Sequence, residues 1–540
     1  MPVRTYRVAL VSGFGPTHKN DRYVRGTLFD PKAAPTVERG YFAGRGNFSL
    51  RELGFEYRGV RYPLMRPRRW TVPHLTTFTL ESILDRSGTD VVVIDTADVW
   101  NGTAVAPAGT VDVVLLSTTF IWDRATLSKA LAWIGEHLPG IPVVLGGQYS
   151  NLKWPWIMRE HSEVTAVVRG DAELALPMLL AALRRGGLVV DIPNLVHRDG
   201  DGAVRANRVE YIDLDAEPAP SFRGRFPSVP YESMRGCPFT CKFCSFPAAS
   251  PKWRYRSAGK IRDDWVGYAE RNGATFVKAM DSTFTVPPTR LRQLLRILPE
   301  VGLGWEAYSR ANSIRDEATV AALARAHCRT LSIGFESMSE DSLRHMNKKV
   351  TAVANRRAFE LLRGSPVGYR CSFMVGYPGE RPEDYLLTHE FLTEEFAGHF
   401  TLSVFGVSDE TMPLWEDRER FGIEVLDPAN PDFSWRHVGM DVETAYALNH
   451  RTLDEVRRRN DAAVLIIWQD AYQRWLMPQL SREGNFAVEK TVERIAMLPR
   501  DLPDPRDGLP VLDTLLDTLA AVGCRRGDPR TYSAESLITD

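Results

Sequence analysis

The sequence predicts an α/β fold in two consecutive series, and three features carry that reading. Short β-branched, apolar runs alternate with longer stretches whose apolar positions recur at helical spacing. The runs end in Gly, Ser, Thr or Asp, as strands buried on both faces do. A proline-rich passage, Asp213–Pro230, separates the first series from the second. At 540 residues the chain exceeds the size at which one hydrophobic core keeps growing, so several domains are expected.

In the first series the strand candidates are Tyr6–Ser12, Asp90–Asp95, Val111–Ser117, Ile141–Leu145 and Val164–Val168, with helices over Ala125–His137 and Ala172–Arg185. This alternation predicts a doubly wound, Rossmann-like sheet over residues 1–212, with its ligand beyond the carboxyl ends of the strands. Residues 213–230 read as a linker. The second series, residues 231–408, offers strands at Tyr231–Arg235, Thr275–Met280, Leu303–Ser309, Thr330–Phe335, Tyr369–Val375 and Leu402–Val407. About six βα units are too few for a closed eight-stranded barrel. They predict an open, partial (β/α)6 barrel with its chemistry at the carboxyl end of the strands. Residues 409–540 read as a mostly helical domain covering the substrate side, with Trp415, Trp435, Trp468 and Trp475 serving either an aromatic pocket or core packing.

Composition excludes several classes. With 44% apolar residues, 25% charged residues and a formal net charge of −1, the chain lacks the basic excess of a nucleic-acid-coating protein. It contains no apolar run of membrane-spanning length, and MPVRTYRVALVSGFG enters a strand-like segment without a secretory core. A cytoplasmic protein is expected, with neither nucleic acid nor membrane as partner.

Chemistry is concentrated in the cysteines. Of six, Cys237, Cys241 and Cys244 fall within eight residues, in MRGCPFTCKFC directly after a strand candidate. Such crowding suits metal ligation rather than a disulfide framework. Three thiolates at C-x3-C-x2-C spacing can grip a cubane, and a [4Fe–4S] cluster wants four ligands, so one iron is left open. The open iron could take the amino and carboxylate groups of S-adenosylmethionine (SAM) or some other oxygen ligand. A zinc site would need a fourth Cys or His at defined spacing, and no such His lies nearby. Cys328, Cys371 and Cys524 are scattered and read as core residues.

The motif resembles the radical SAM superfamily, including the aromatic Phe243 just before the last cysteine. The resemblance extends over about residues 228–410: Asp281 closes a strand in VKAMDSTFT, Glu336 sits in SIGFES, and Gly376 ends a strand in FMVGYPGE. It implies that Phe243, Asp281, Glu336 and Gly376 help to hold SAM. The doubly wound domain ahead of this core resembles the cobalamin-binding arrangement of the B12-dependent branch. That implies corrin contacts from Ser117 and Thr118, from Gly146, Gly147 and Gln148, and from Gly170, Asp171 and Glu173. The D-x-H-x-x-G signature is missing, since Pro16 stands two positions before His18 where an Asp is expected. The implied cobalt has no histidine beneath it. Arg69, in RPRRW, is the candidate for the lower face, where a guanidinium has no lone pair to give a metal.

Within that branch the chain is similar to the tryptophan 2-C-methyltransferases of peptide antibiotic biosynthesis, on its length, its cysteine position, Arg69 and Tyr308 in GWEAYSRA. The implied reaction passes a methyl from SAM to cob(I)alamin and from methylcobalamin to C2 of L-tryptophan, with an external reductant as partner. Tyr308 is the candidate for the polar contact at the indole N1 proton, or else a packed strand tyrosine. Glu306, two residues earlier on the same strand, should share its face. Glu306, Asp281 and Glu336 are all eligible to fill the open iron, and Glu306 could instead pair with Arg310 or Arg315. The alternatives are a radical methylase of an sp3 carbon or phosphinate, a non-methylating radical cyclase, and a non-catalytic cluster protein.

Overall fold

A computed structural model describes residues 6–14, 54–57, 60–63, 72–187, 191–407, 409–428, 431–465 and 480–521. Arg69 and Trp70, Pro16 and His18, Trp468, Trp475 and Cys524 lie outside the described residues.

The first sheet contains β1 (Arg7–Val11), β2 (Asp90–Ile94), β3 (Val113–Ser117), β4 (Val143–Gly146), β5 (Val164–Val168), β6 (Leu195–Arg198) and β7 (Val204–Ala206). Their spatial order is β2-β1-β3-β4-β5-β6-β7. The first five are parallel, so the order reverses between β1 and β3 and opens a crevice there at the carboxyl edge. Alternate strand residues serve two cores. Ala9, Val11, Val114 and Leu116 face one helical layer, whereas Val8, Leu10, Val113 and Leu115 face the other. The helices start where a side chain satisfies an orphan N–H, as when Asp123 accepts from Thr126 N at 2.7 Å ahead of Arg124–His137. The antiparallel pair β6–β7 was not expected; its strands are four and three residues long and show no clear alternation.

The second sheet contains β8 (Ser228–Tyr231), β9 (Phe276–Ala279), β10 (Gly304–Ser309), β11 (Cys328–Glu336), β12 (Gly368–Val375), β13 (Gly398–Val404) and β14 (Ala463–Leu465). All neighbours pair parallel, in chain order. Three expectations are corrected. The linker ends earlier, because Ser228, Val229 and Pro230 already form β8; as an edge strand β8 tolerates a proline that cannot donate to the ladder. Tyr231–Arg235 is not one strand, since Met234–Arg235 leaves the sheet to pair antiparallel with Arg254–Tyr255. The tail is not separate from the barrel: Ala463–Leu465 adds a seventh strand to it.

One face of this sheet, with Val277, Ala279, Trp305, Ala307, Leu331, Ile333, Cys371 and Phe373, packs into a single large core under the surrounding helices. Cys328 and Cys371 are 4% and 1% exposed within it. The opposite, inner face carries Lys278, Glu306, Tyr308, Ser332, Arg370 and Ser372. The helices Val442–Arg459, Arg482–Asp501 and Pro505–Ala521 follow, so the tail is mostly helical as expected. Among the described residues no helix is long and apolar enough to cross a membrane.

Candidate functional site

The cysteine loop hangs from the end of β8 by backbone contacts to one buried carboxylate. Asp281 Oδ1 accepts the N–H groups of Ser233 and Met234 at 2.7 and 2.8 Å. Burial pushes the Asp281 carboxyl up to about 6, against the pull of Arg290 and these donors. Asp281 thereby holds the chain that leads into Cys237. Gly236 follows at φ +78°, and a Cβ there would lie 2.6 Å from the Lys252 carbonyl oxygen, so only glycine lets the loop leave the hairpin.

Cys237 and Cys244 are half-buried and Cys241 is buried. Burial, with the neighbouring cysteines contributing, pushes the Cys244 thiol up to about 11, so loading iron must displace its proton. Around them stand two cations on aromatic rings. The Arg310 guanidinium lies 3.8 Å from the Phe239 centroid and Nη1 is 3.5 Å from Cys241 Sγ. Lys348 Nζ lies 5.3 Å from the Phe243 centroid and pairs with Glu336 at 2.7 Å. Glu336 itself takes φ +64° at the end of β11. Three grouped thiols beside two buried cations fit an anionic cubane. Among the described residues no three His, Cys, Asp or Glu side chains converge tightly enough for one metal ion; a cubane spreads its thiolates over three irons.

At the next strand end, Gly376 has φ +87° and a Cβ there would meet Trp435 Cη2 at 2.7 Å. Trp435 is 1% exposed and is core rather than pocket wall. Glu380, which the sequence reading passed over, accepts from Gly376 N and Ser342 Oγ at 2.8 and 2.9 Å. Trp415 donates its Nε1–H to the Asp409 carbonyl.

On the inner face Glu306 pairs with Lys278 at 3.3 Å, not with Arg310 or Arg315, and its Oε2 has no hydrogen-bond partner. Tyr308 is 41% exposed, and Arg370 lies 5.6 Å from its ring centroid while donating to Ser332 Oγ. Burial lowers the Arg370 guanidinium, whereas Tyr308 and Glu306 raise it, so one cation faces both residues. Lys278 and Arg370 left a signal in the sequence: each is a lone cation inside an apolar strand run.

The loops of the first sheet divide into two groups. Thr118 is fully buried, its hydroxyl 2.9 Å from the Gly146 carbonyl and 3.0 Å from Ser150 Oγ, while Ser117 Oγ reaches Thr119 Oγ1 at 3.3 Å. Gly147 has φ +109°, and a Cβ there would lie 2.8 Å from Thr119 N; Gln148 then opens the helix Gln148–Glu160. This group walls the carboxyl edge. The Gly170, Asp171 and Glu173 group does something else. Gly170 N donates to Asn151 Oδ1 at 3.2 Å. Asp171 pairs with Arg235 and Arg254 at 2.8 and 2.7 Å, and Glu173 pairs with Arg235 at 2.6 Å. Burial would raise both carboxyls, but these guanidinium groups outweigh it and hold both below the usual carboxylate range. Asp171 and Glu173 are thus both paired with the cysteine hairpin.

With this geometry in view, residues 231–392 match the model of the radical SAM superfamily. The match falls on the central unit, from the end of β8 through the helix after β12. Over 292 residues, 52% of its length, the chain is 29% identical to an uncharacterized methyltransferase of Pyrococcus horikoshii, covering 62% of that protein. Over 367 residues, 64% of its length, it is 25% identical to the anaerobic magnesium-protoporphyrin IX monomethyl ester cyclase of Rubrivivax gelatinosus, covering 66% of it. The chain thus spans just under two thirds of the length of these curated relatives. Among solved structures, the radical SAM methyltransferase TsrM of Kitasatospora setae, with cobalamin and a [4Fe–4S] cluster bound, superposes with a TM-score of 0.58 at 18% identity, covering 79% of this chain and 96% of that one. The cobalamin-dependent SAM radical enzyme OxsB superposes with a TM-score of 0.53 at 15% identity, over 92% of this chain and 67% of that one. Both likenesses establish the fold alone, a doubly wound sheet ahead of a second, parallel sheet of βα units.

Proposed function

We propose that the chain is a cobalamin- and SAM-dependent C-methyltransferase that delivers a methyl group to C2 of L-tryptophan, with an external reductant as partner. The observation that carries this reading is the junction of the two sheets. The loop after β5 is bolted by Asp171 and Glu173 to the hairpin that launches the cysteine loop, which sets the carboxyl edge of the first sheet beside the cluster site. The domain division 1–212, 213–230, 231–408 and 409–540 is kept in this reading with two changes: β8 shortens the linker, and Ala463–Leu465 of the tail belongs to the second sheet.

The cofactors would supply a methyl donor, a methyl carrier and a low-potential electron source. The chain's own groups do the rest. Cys237, Cys241 and Cys244 hold the cluster; Ser117, Thr118, Gly146, Gly147 and Gln148 wall the corrin crevice; Phe243, Glu336 and Gly376 shape the SAM side of the barrel. Glu306, with one oxygen lacking a protein partner, is the carboxylate best able to occupy an open iron. Tyr308 is exposed on the inner face, where its hydroxyl can take a hydrogen bond from an indole N1 and so raise electron density at C2. An indole carbon is itself nucleophilic, so no substrate radical is required. Arg69 remains the proposed neighbour of the lower corrin face.

A second reading is favoured by the likeness to the magnesium-protoporphyrin ester cyclase: a radical enzyme that closes a ring without moving a methyl. Anaerobic reconstitution with iron, sulfide and cobalamin, followed by mass spectrometry of SAM products with and without tryptophan, separates the two. S-adenosylhomocysteine and methyltryptophan without 5′-deoxyadenosine supports the first; stoichiometric 5′-deoxyadenosine overturns it.

A further inference from the structure

Arg310 lies one residue past β10 and is 5% exposed. No carboxylate among the described residues pairs with it, although a buried guanidinium left without an anion is costly. The other cations near the loop are already matched: Lys348 by Glu336, and Lys242 by Asp417 at 2.5 Å. What Arg310 does face is sulfur. Its Nη1 is 3.5 Å from Cys241 Sγ, its Nη2 donates to the Lys348 carbonyl, and its plane covers Phe239, the residue midway along the loop from Cys237 to Cys241. The carbonyl and the ring fix the fork so that one N–H is aimed at the thiol. The missing counter-ion is therefore the thiolate set itself.

We infer that Arg310 tunes the cluster held by Cys237, Cys241 and Cys244, donating to the Cys241 thiolate and raising the reduction potential of the bound [4Fe–4S] group. The inference rests on the cluster reading above. Reduction adds one negative charge to the cubane, and a fixed guanidinium at its edge stabilises the reduced form more than the oxidised one. Arg310 is a positioning and tuning residue, since its contact runs to a ligand sulfur rather than to substrate.

The test uses the full chain, anaerobically reconstituted with iron and sulfide, with midpoint potentials read by paramagnetic resonance during a redox titration. Arg310→Gln should shift the ratio of oxidised to reduced cluster at fixed potential at least tenfold toward the oxidised form, about 59 mV lower for a one-electron couple. Arg310→Lys keeps the charge but not the fork, and should fall between the two. An unchanged potential in Arg310→Gln with normal iron and sulfide overturns the inference. Should Arg310→Gln fail to take up iron, Arg310→Lys decides alone: a lowered potential supports tuning, and a wild-type potential or loss of iron there makes Arg310 a strut only. Wild-type protein that takes up no iron would instead sink the cluster reading, and is scored before either variant.

Discussion

Arg235 and Glu173 form a two-pronged ion pair across the junction of the sheets, with Nη1–Oε2 at 2.9 Å and Nη2–Oε1 at 2.6 Å. Arg235 lies two residues before Cys237, so this pair couples the loop after β5 to the cluster loop. The two side chains are 16% and 6% exposed, and Arg235 keeps Asp171 and Glu232 as partners when Glu173 is neutralised. Glu173→Gln should cost about 1.5–3 kcal/mol of unfolding free energy in chemical denaturation, the range for hydrogen bonds to a charged group, whereas Glu173→Gln with Arg235→Met should cost less than the sum of the single changes. Iron uptake should fall with the single substitution, because the hairpin loses its brace. Additive costs in the double variant would show that the pair is not coupled.

The strands of the first series were legible because burial on both faces writes an uninterrupted apolar run, as in Val113–Ser117. The role of Asp171 and Glu173 was not. A strand-end loop in a doubly wound sheet reads as a ligand loop, and nothing local announces partners 62 to 83 residues away. The bases nearest to Glu306 in sequence are Arg310 and Arg315, but cross-strand register brings Lys278 of β9 opposite it. The strand expected at Leu402–Val407 begins four residues earlier, because Gly398 at φ +124° fits closely against Tyr369 and opens the ladder there. The three-residue β14 is too short for periodicity to reveal.

Gly147→Ala tests the crevice wall. The new Cβ would meet a backbone nitrogen 2.8 Å away, in a conformation that L-residues avoid. The expected loss is about 2–4 kcal/mol, from strain and overpacking together. Cobalamin binding, followed by retention of its absorbance through gel filtration, should fall at least tenfold. Unchanged retention would place the corrinoid away from this turn.

Glu380 makes stability depend on pH in a stated direction. Burial pushes its carboxyl up to about 7, only partly opposed by the Gly376 and Ser342 donors. Between its unfolded value near 4.5 and about 7 the folded state holds a proton that the unfolded state has released. Stability from this group is therefore full below about pH 4.5, is lost as pH rises toward 7 and is level above that. The loss is on the order of 3 kcal/mol. Glu380→Gln, which cannot ionise, should flatten the unfolding profile over that window; a profile that keeps its slope assigns the dependence elsewhere.

Glu306 is the carboxylate on which the proposed polar mechanism turns, and its neighbours make the test selective. Asp281 is held by two backbone N–H groups and Glu336 by Lys348, which leaves Glu306 Oε2 as the oxygen of the three candidates without a hydrogen bond. Removing the carboxylate also frees Lys278, so Glu306→Ala is compared with Glu306→Ala combined with Lys278→Met, which leaves no stranded cation. If Glu306 ligates iron, both variants should change the paramagnetic spectrum of the reduced cluster, and SAM should then perturb that spectrum more strongly than in the wild type. Product analysis should shift in step, with 5′-deoxyadenosine appearing as the open iron becomes available. A spectrum identical to wild type in the double variant, at full iron content, rules Glu306 out as a ligand and leaves its pairing with Lys278 as its whole role.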